Sequence, residues 1–265
     1  PGLKEVHAVD AAGVHPLLLA IGSERYTPYA PVKQPAELLT IANHVLGTGQ
    51  LSLAKYLFIT ADDQGQLNTH HVDEYLQFVL ERIRTERDIH FHTHTTIDTL
   101  DYSGTGLNTG SKVVFAAYGD PVRQLGREIP SWMSGLETVS DVKLVMPGVL
   151  AMQTRPYSDA AAASREMESI GRQLEQHLPE LQSFPLIAWC DDAAFTAASL
   201  RNFLWVTFTR SNPSHDIHGV AACTEFKHWG CKGPVIIDAR VKPHHAPPVL
   251  QREGDRLLRP RPDRP

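Results

Sequence analysis

The chain has 265 residues, 42% of them apolar and 21% charged, with a formal net charge of −5. This is the composition of a globular protein, with length enough for two cores of about 130 residues each. Scattered Lys and Arg residues at this charge leave no electrostatic footprint for nucleic acid, and no apolar run approaches the roughly 20 residues of a membrane span.

Residues 14–21 form an apolar run bounded by Gly13 and Gly22, as a buried strand would be. Pro28 and Pro31 make residues 25–31 a loop, because each pushes the preceding residue out of the helical region. A helix is predicted over 35–46, with a proline at its start, Leu38, Ile41, Ala42, Val45 and Leu46 on one stripe, and Gly47 just past its end. The strand over 56–61 runs into Asp62 and Asp63, and a helix follows from Asn68 with Val72, Tyr75, Leu76, Val79 and Ile83 on its apolar face. From Ile89 the chain reads as strand, then a Thr/Asp/Asn/Gly loop over 95–110, then a strand over 112–117. Residues 120–142 are polar and carry prolines and glycines, which marks a linker. Beyond it come strand 148–152, an Ala-rich helix 159–177, strand 186–190, helix 197–210 and strands 217–222 and 235–239.

The order repeats. LFITADD over 57–63 and LIAWCDD over 186–192 each lead into a helix, and each helix leads to an Asp-Ile pair, Asp88-Ile89 and Asp216-Ile217. Val72, Tyr75, Leu76 and Arg82 fall opposite Leu200, Phe203, Leu204 and Arg210, displaced by 128. Upstream, His15 to Ile21 lies over Met146 to Met152, and Tyr26 over Tyr157. An internal duplication follows: an α/β protein of two tandem, related units with mainly parallel sheets, over 1–135 and 136–250, and a flexible Arg/Pro-rich tail over 251–265 that has too little apolar content to pack.

Several groups could carry chemistry. Asp62, Asp63, Asp191 and Asp192 stand at strand ends, where adjacent carboxylates can hold a divalent cation or share a proton; helix capping is the plainer use of the same residues. His90, His92 and His94 alternate, so on a strand they share a face, as metal ligands do and as an edge strand in solvent also does. Cys223, His228 and Cys231 have zinc-like spacing but lack a fourth ligand, and three cysteines without regular spacing read as reduced thiols of a soluble cytoplasmic protein. Residues 225–234 put Lys227, Trp229 and Lys232 among glycines in what reads as a loop, fit to grip an anion or cover an aromatic ligand, or to anchor a Trp on the core. Residues 242–248 form a proline-rich arm that could lie on another subunit or domain. No Gly-rich phosphate loop, Gly-x-Ser-x-Gly elbow or His-Glu-x-x-His helix occurs.

Phe203-Leu-Trp-Val-Thr-Phe-Thr-Arg-Ser-Asn-Pro-Ser-His-Asp-Ile217 after Cys190-Asp-Asp192, with Thr96-Ile-Asp-Thr-Leu-Asp101 and Gly106-Leu-Asn-Thr-Gly-Ser-Lys112, resembles the C-terminal part of the UbiD family of decarboxylases. The resemblance runs over about residues 15–248. It implies a lyase acting reversibly on aromatic or α,β-unsaturated acids through prenylated FMN with a divalent metal (Mn or Mg) and potassium. In that family the flavin, the metals and the Glu-Arg-Glu catalytic set belong to an N-terminal domain for which this sequence has no counterpart, so no cofactor is expected on this chain alone. The implied role is to cover the N-terminal flavin-binding domain of the same protein, shape a pocket wall through Thr96, Asp98 and Lys112 along with Lys227, Trp229 and Lys232, and build homo-oligomer contacts. The family's usual C-terminal region has one such α/β unit, whereas two stand here in tandem. A chain starting at Pro1 reads as part of a longer polypeptide. The competing expectations are a self-sufficient metal enzyme built on the aspartate pairs and a pure oligomerisation module.

Overall fold

A computed structural model describes residues 2–26 and 29–245. The first half runs β1 (Glu5–Ala8), β2 (Leu17–Gly22), α1 (Ala36–Leu46), β3 (Tyr56–Ala61), α2 (Val72–Arg82), β4 (Ile89–Thr95) and β5 (Gly110–Ala117). The second runs β6 (Asp141–Met146), β7 (Val149–Gln153), α3 (Ala160–Glu175), α4 (Leu178–Leu181), β8 (Leu186–Cys190), α5 (Ala193–Ala197), α6 (Leu200–Thr209), α7 (Pro213–Asp216), β9 (Ile217–Gly219), β10 (Ala222–Glu225), β11 (His228–Cys231) and β12 (Val235–Asp238).

Each half builds a five-stranded sheet of the same topology, β1-β2-β3-β5-β4 and β6-β7-β8-β12-β9, with three parallel strands in the middle and an antiparallel strand at either edge. The chain is therefore an α/β protein of two tandem, related units. The repeat extends to a single hydrogen bond: Asp88 Oδ2 accepts from Arg84 N at 2.9 Å, and Asp216 Oδ2 accepts from Asn212 N at 2.6 Å, with both partners displaced by 128. In each copy the carboxylate closes the turn that carries the chain from helix to edge strand.

Strands β2, β3 and β5 are buried on both faces, which is why they read as unbroken apolar runs rather than alternating ones. On one face Leu38, Ile41, Ala42 and Val45 of α1 pack against Leu18, Leu57, Ile59 and Val114. On the outer face of the second sheet Met167, Ile170 and Leu174 of α3 pack against Leu150, Ile187 and Ile236. The remaining faces meet in one cluster: Leu19, Phe58 and Phe115 with α2 residues Tyr75 and Val79, and Val149, Leu186 and Ile237 with α6 residues Phe203 and Phe208. The two halves thus share an apolar core between them, in addition to the core each keeps on its outer side.

Some elements differ from the sequence expectation. Residues 120–142 are no free linker. Leu125, Met133 and Leu136 are buried, Arg123 Nη1 donates to Leu80 O and Ile83 O, and the segment passes into β6. Its proline and glycine content reflects a close approach: a Cβ on Gly126 would lie 2.3 Å from the Phe184 ring. The helix expected over 197–210 starts at Leu200, because Ser199 Oγ accepts from Asn202 N and caps α6, and a separate short α5 precedes it. Strand 217–222 stops at Gly219, and residues 222–231 form the hairpin β10–β11 rather than a loop. The edge strand β1, four residues long, is too short to announce itself by periodicity, and β6 begins inside the stretch that reads as a linker.

Candidate functional site

Loop 95–110, between β4 and β5, is held by aspartates that accept amides just ahead of them. Asp98 Oδ1 takes Leu100 N at 3.0 Å, and Asp101 Oδ1 takes Ser103 N at 2.9 Å and Ser103 Oγ at 2.6 Å. The remaining oxygen of each reaches a base. Asp98 Oδ2 meets His15 Nδ1, and Asp101 Oδ2 lies 2.8 Å from the wholly buried Lys55 Nζ. Burial alone would raise the Asp98 carboxyl pKa, yet the Leu100 amide and His15 hold it below the ordinary carboxylate value.

Lys55 joins the two halves. Its Nζ also donates to Ser103 Oγ at 2.6 Å and to Ser211 O at 2.8 Å, and Tyr56 OH sits 2.6 Å from Ser211 Oγ. Beside it Ser111 Oγ meets Asn212 Oδ1 and accepts Ser214 N at 2.8 Å. Desolvation pulls the Lys55 pKa down, against the opposing pull of Asp101. Further along, Lys242 Nζ lies 3.3 Å from Asp216, and the buried Arg240 holds Asp238 through two nitrogens at 2.9 and 2.7 Å and Glu166 at 2.7 Å, with its guanidinium 4.6 Å from the Trp189 ring centre. The start of the first sheet's parallel strands therefore faces, through this ion network, the segment that follows β12. Two cavities flank it: one of about 560 Å³ lined by residues such as His15, Asp98, Asp101, Trp205, Arg210 and His245, and one of about 600 Å³ lined by residues such as Tyr157, Asp216, His218, Asp238 and Lys242.

The residues singled out in the sequence fall in different places. Asp98 lines the first of these cavities. Lys227 and Trp229 line another, of about 400 Å³, with His90 and His228; Trp229 meets Phe91 edge to face at 5.3 Å. Thr96 is exposed at the end of β4, and Lys232 is exposed after β11, where its carbonyl accepts from Gln182 Nε2. Lys112 is buried away from both, donating to Ser52 O at 2.5 Å and Ala54 O at 2.9 Å, and burial pushes its pKa down to about 8. The aspartate pairs occupy strand ends as expected, and their oxygens go to backbone and neighbours. Asp62 accepts Gln64 N and Leu67 N, Asp63 accepts from Tyr118 OH, Asp191 accepts Val241 N, and Asp192 caps α5 through Phe195 N. Among the described residues no group of three or more His, Cys, Asp or Glu side chains is placed to hold a metal ion. Cys231 is buried, its thiol facing Gly233 O, while Cys223 is exposed on the other strand of the hairpin.

The sequence marks Ser211 and Asp216 only as parts of a repeat and a motif, and it assigns no role to Lys55. A lysine heading a buried strand was the available signal, since Lys almost never enters a core without a partner. Residues 246–248 of the proline-rich arm and the tail over 251–265 lie outside the described residues.

The architecture defines a class, an α/β chain of two duplicated units with ionisable cavities between them, and comparison with known proteins places it. Residues 1–117 match the 3-octaprenyl-4-hydroxybenzoate carboxy-lyase C-terminal domain. Residues 1–117, a little under half of the chain, are thus similar to the C-terminal domain of the UbiD family. Among curated proteins it is 34% identical over 247 residues to a 4-hydroxybenzoate decarboxylase subunit of Chlamydia pneumoniae, covering 92% of this chain and 38% of that protein. It is also 34% identical over 259 residues to an uncharacterized protein of Chlamydia trachomatis, covering 97% and 40%. The chain thus spans about two fifths of the length of these relatives. Among solved structures, a UbiD-class enzyme of Pelotomaculum thermopropionicum superposes with a TM-score of 0.36 at 13% identity over 52% of this chain and 28% of that one. The 3,4-dihydroxybenzoic acid decarboxylase of Klebsiella pneumoniae does so with a TM-score of 0.37 at 18% identity over 50% and 28%. No helix among the described residues is long and apolar enough to cross a membrane.

Proposed function

We propose that this chain is the C-terminal region of a UbiD-type decarboxylase, acting with an N-terminal flavin-binding domain on an aromatic or α,β-unsaturated carboxylic acid in the cytoplasm. The observation that carries the reading is the alignment of 92% of the chain with only 38% of a relative named as a 4-hydroxybenzoate decarboxylase subunit. Most of that relative lies outside the aligned region, and the prenylated FMN, its divalent metal and potassium are assigned there. When bound, that cofactor supplies the electron sink for loss of carbon dioxide. This chain's own part is to cover the flavin domain, to supply wall residues and to build oligomer contacts, for which exposed aromatics such as Phe226 at the tip of the β10–β11 hairpin offer area. The aspartate pairs accept from backbone amides and from the Tyr118 hydroxyl, which favours this reading over a self-sufficient metal enzyme.

The test is to titrate the chain separately with prenylated FMN and with Mn²⁺, then to add a flavin-binding domain from a full-length relative. The expected outcome is no stoichiometric binding of flavin or metal to the chain alone, and decarboxylation only when both polypeptides are present. Tight flavin binding by this chain alone, or Mn²⁺ binding abolished by Asp62→Asn or Asp191→Asn, would sink the assignment.

A further inference from the structure

The two halves hold each other by exchanged excursions. The chain leaves the first sheet between β4 and β5 as loop 95–110, and residues 103–105 of that loop line a cavity together with His218 of β9. It leaves the second sheet between β9 and β12 as the hairpin β10–β11, and His228 and Trp229 of that hairpin line a cavity together with His90 of β4. The covered positions are equivalents in the repeat, Asp88-Ile89-His90 and Asp216-Ile217-His218. Each half therefore closes a cavity over the same histidine of the other, the reciprocity of a two-fold contact carried out within one chain.

The two clasps differ in the charge around the histidine. His218 has the Asp238 carboxylate as a neighbour, along with Lys242 and Arg240. No carboxylate opposes the cations around His90 in this way. From the hairpin, His228 brings its ring centre to 5.0 Å from that of His90, and Lys227 lines the same cavity. On β4 itself His92 lies two residues along, and Arg87 precedes the strand with its guanidinium on Asp88. From β5 the ladder sets Val114 beside His90 and Lys112 beside His92. From α7 Ser214 lines the cavity, while Asp216 is held by Lys242 and the Asn212 amide, and His215 Nδ1 meets Asn212 and Ser214. Glu86 and Glu225 are exposed, and the described histidines that pair with a carboxylate are His15, His71 and His177, not His90 or His228. No third donor joins the two rings to hold a metal ion among the described residues.

Beyond the histidines, the hairpin is held at Thr85, whose carbonyl accepts Cys231 N at 3.1 Å and whose hydroxyl donates to Cys231 O at 2.9 Å, and by Trp229 on Phe91. With both rings neutral the His90–His228 contact packs like any other pair of rings. A proton on either sets a charge against the surrounding cations with nothing to receive it. We propose that the His90–His228 contact is an acid-released latch: protonation of the pair lifts the hairpin β10–β11 off β4 and opens the cavity of about 400 Å³ there, before the equivalent clasp over His218 gives way. The depressed His90 pKa, about 4 against an ordinary 6.5, sets the window: the latch is intact above pH 6.5 and weakens as pH falls toward 4. A two-stranded hairpin without its support is marginally stable, so release removes the protection of its own amides as well.

Hydrogen–deuterium exchange of the full chain, read by mass spectrometry at pH 7.5 and pH 5.0 and corrected for the intrinsic exchange rate at each, tests this without flavin or a partner domain. Hairpin peptides are expected to lose about tenfold or more in protection at pH 5.0, loop 95–110 to lose less, and the central strands β3 and β8 to keep theirs. His90→Gln, which takes no proton, is expected to abolish the hairpin's loss. His228→Gln, at a half-buried hairpin position, is expected to reduce it, and His218→Gln to leave it in place. Equal hairpin protection at the two pH values overturns the proposal, as does a loss undiminished in His90→Gln or, should that variant not fold, in His228→Gln. A loss shared evenly by β3 and β8 also overturns it, since acid would then unfold the whole molecule rather than release one element.

Discussion

His90 illustrates how one position on a strand decides a protonation state. It sits on β4 with its ring centre 5.0 Å from that of His228, and burial, then His228, His92 and Arg87, push its pKa down from 6.5 to about 4. Between those two values the unfolded chain binds the proton and the folded chain does not, so stability falls as pH drops through this window and is intact above 6.5. Urea denaturation at pH 7 and at pH 4.5 is expected to show the loss, with His90→Gln removing a share of it of at most about 3 kcal/mol. An equal pH dependence in wild type and variant would refute the assignment. The alternation of His90, His92 and His94 was legible in the sequence, but the pairing of β4 with β5 shifts register between His92 and Thr95, so the regular ladder holds only His90 and His92. The neighbour that shifts His90 was not legible, because His228 arrives from the other half of the chain.

At the scale of elements, glycines separate local from tertiary requirements. Gly230 on β11 lies against the first half, where an added Cβ would come within 2.3 Å of Glu86 O, and Cys231 N donates to Thr85 O beside it. Gly171 in α3 has nothing within 4 Å of such a Cβ. Gly230→Ala is therefore expected to cost on the order of 1–3 kcal/mol by pushing the hairpin off β4, the usual cost of overpacking. Gly171→Ala is expected to stabilise by about 0.5–1 kcal/mol through helix propensity. Chemical denaturation of the two variants measures both, and opposite signs are required. Residues 225–234 had read as a loop because their glycines and paired lysines match turn composition. Phe226 and Lys227, at φ 47° and 69°, do make the turn, and the residues on either side pair as strands.

For the whole molecule, the consequence of the shared core is cooperativity. Phe58, Phe115 and Val79 of the first half lie in the same cluster as Leu186, Phe203 and Phe208 of the second, and Phe208 meets both Tyr56 and Phe58 edge to face. Cutting the chain after residue 135 would expose that face. The first half alone is expected to bind a hydrophobic dye and to lose its sharp unfolding transition, whereas the full chain unfolds in one step with coincident fluorescence and far-ultraviolet circular dichroism curves. Two separate transitions in the full chain would show that the halves are independent.

The sequence by itself determined the order of the central strands and helices and the duplication, because burial on both faces writes unbroken apolar runs and a repeated topology repeats its hydrogen-bonding residues, Asp88 and Asp216 among them. Only the tertiary structure decided that Lys55 pairs with Asp101 and Ser211, that the Asp62 and Asp192 carboxylates go to backbone amides, and that Val14, Leu100, Trp205 and His245 line one cavity. Periodicity reports which face of an element is buried. It carries no information on which distant element covers that face, and the cavity lies where two such faces meet.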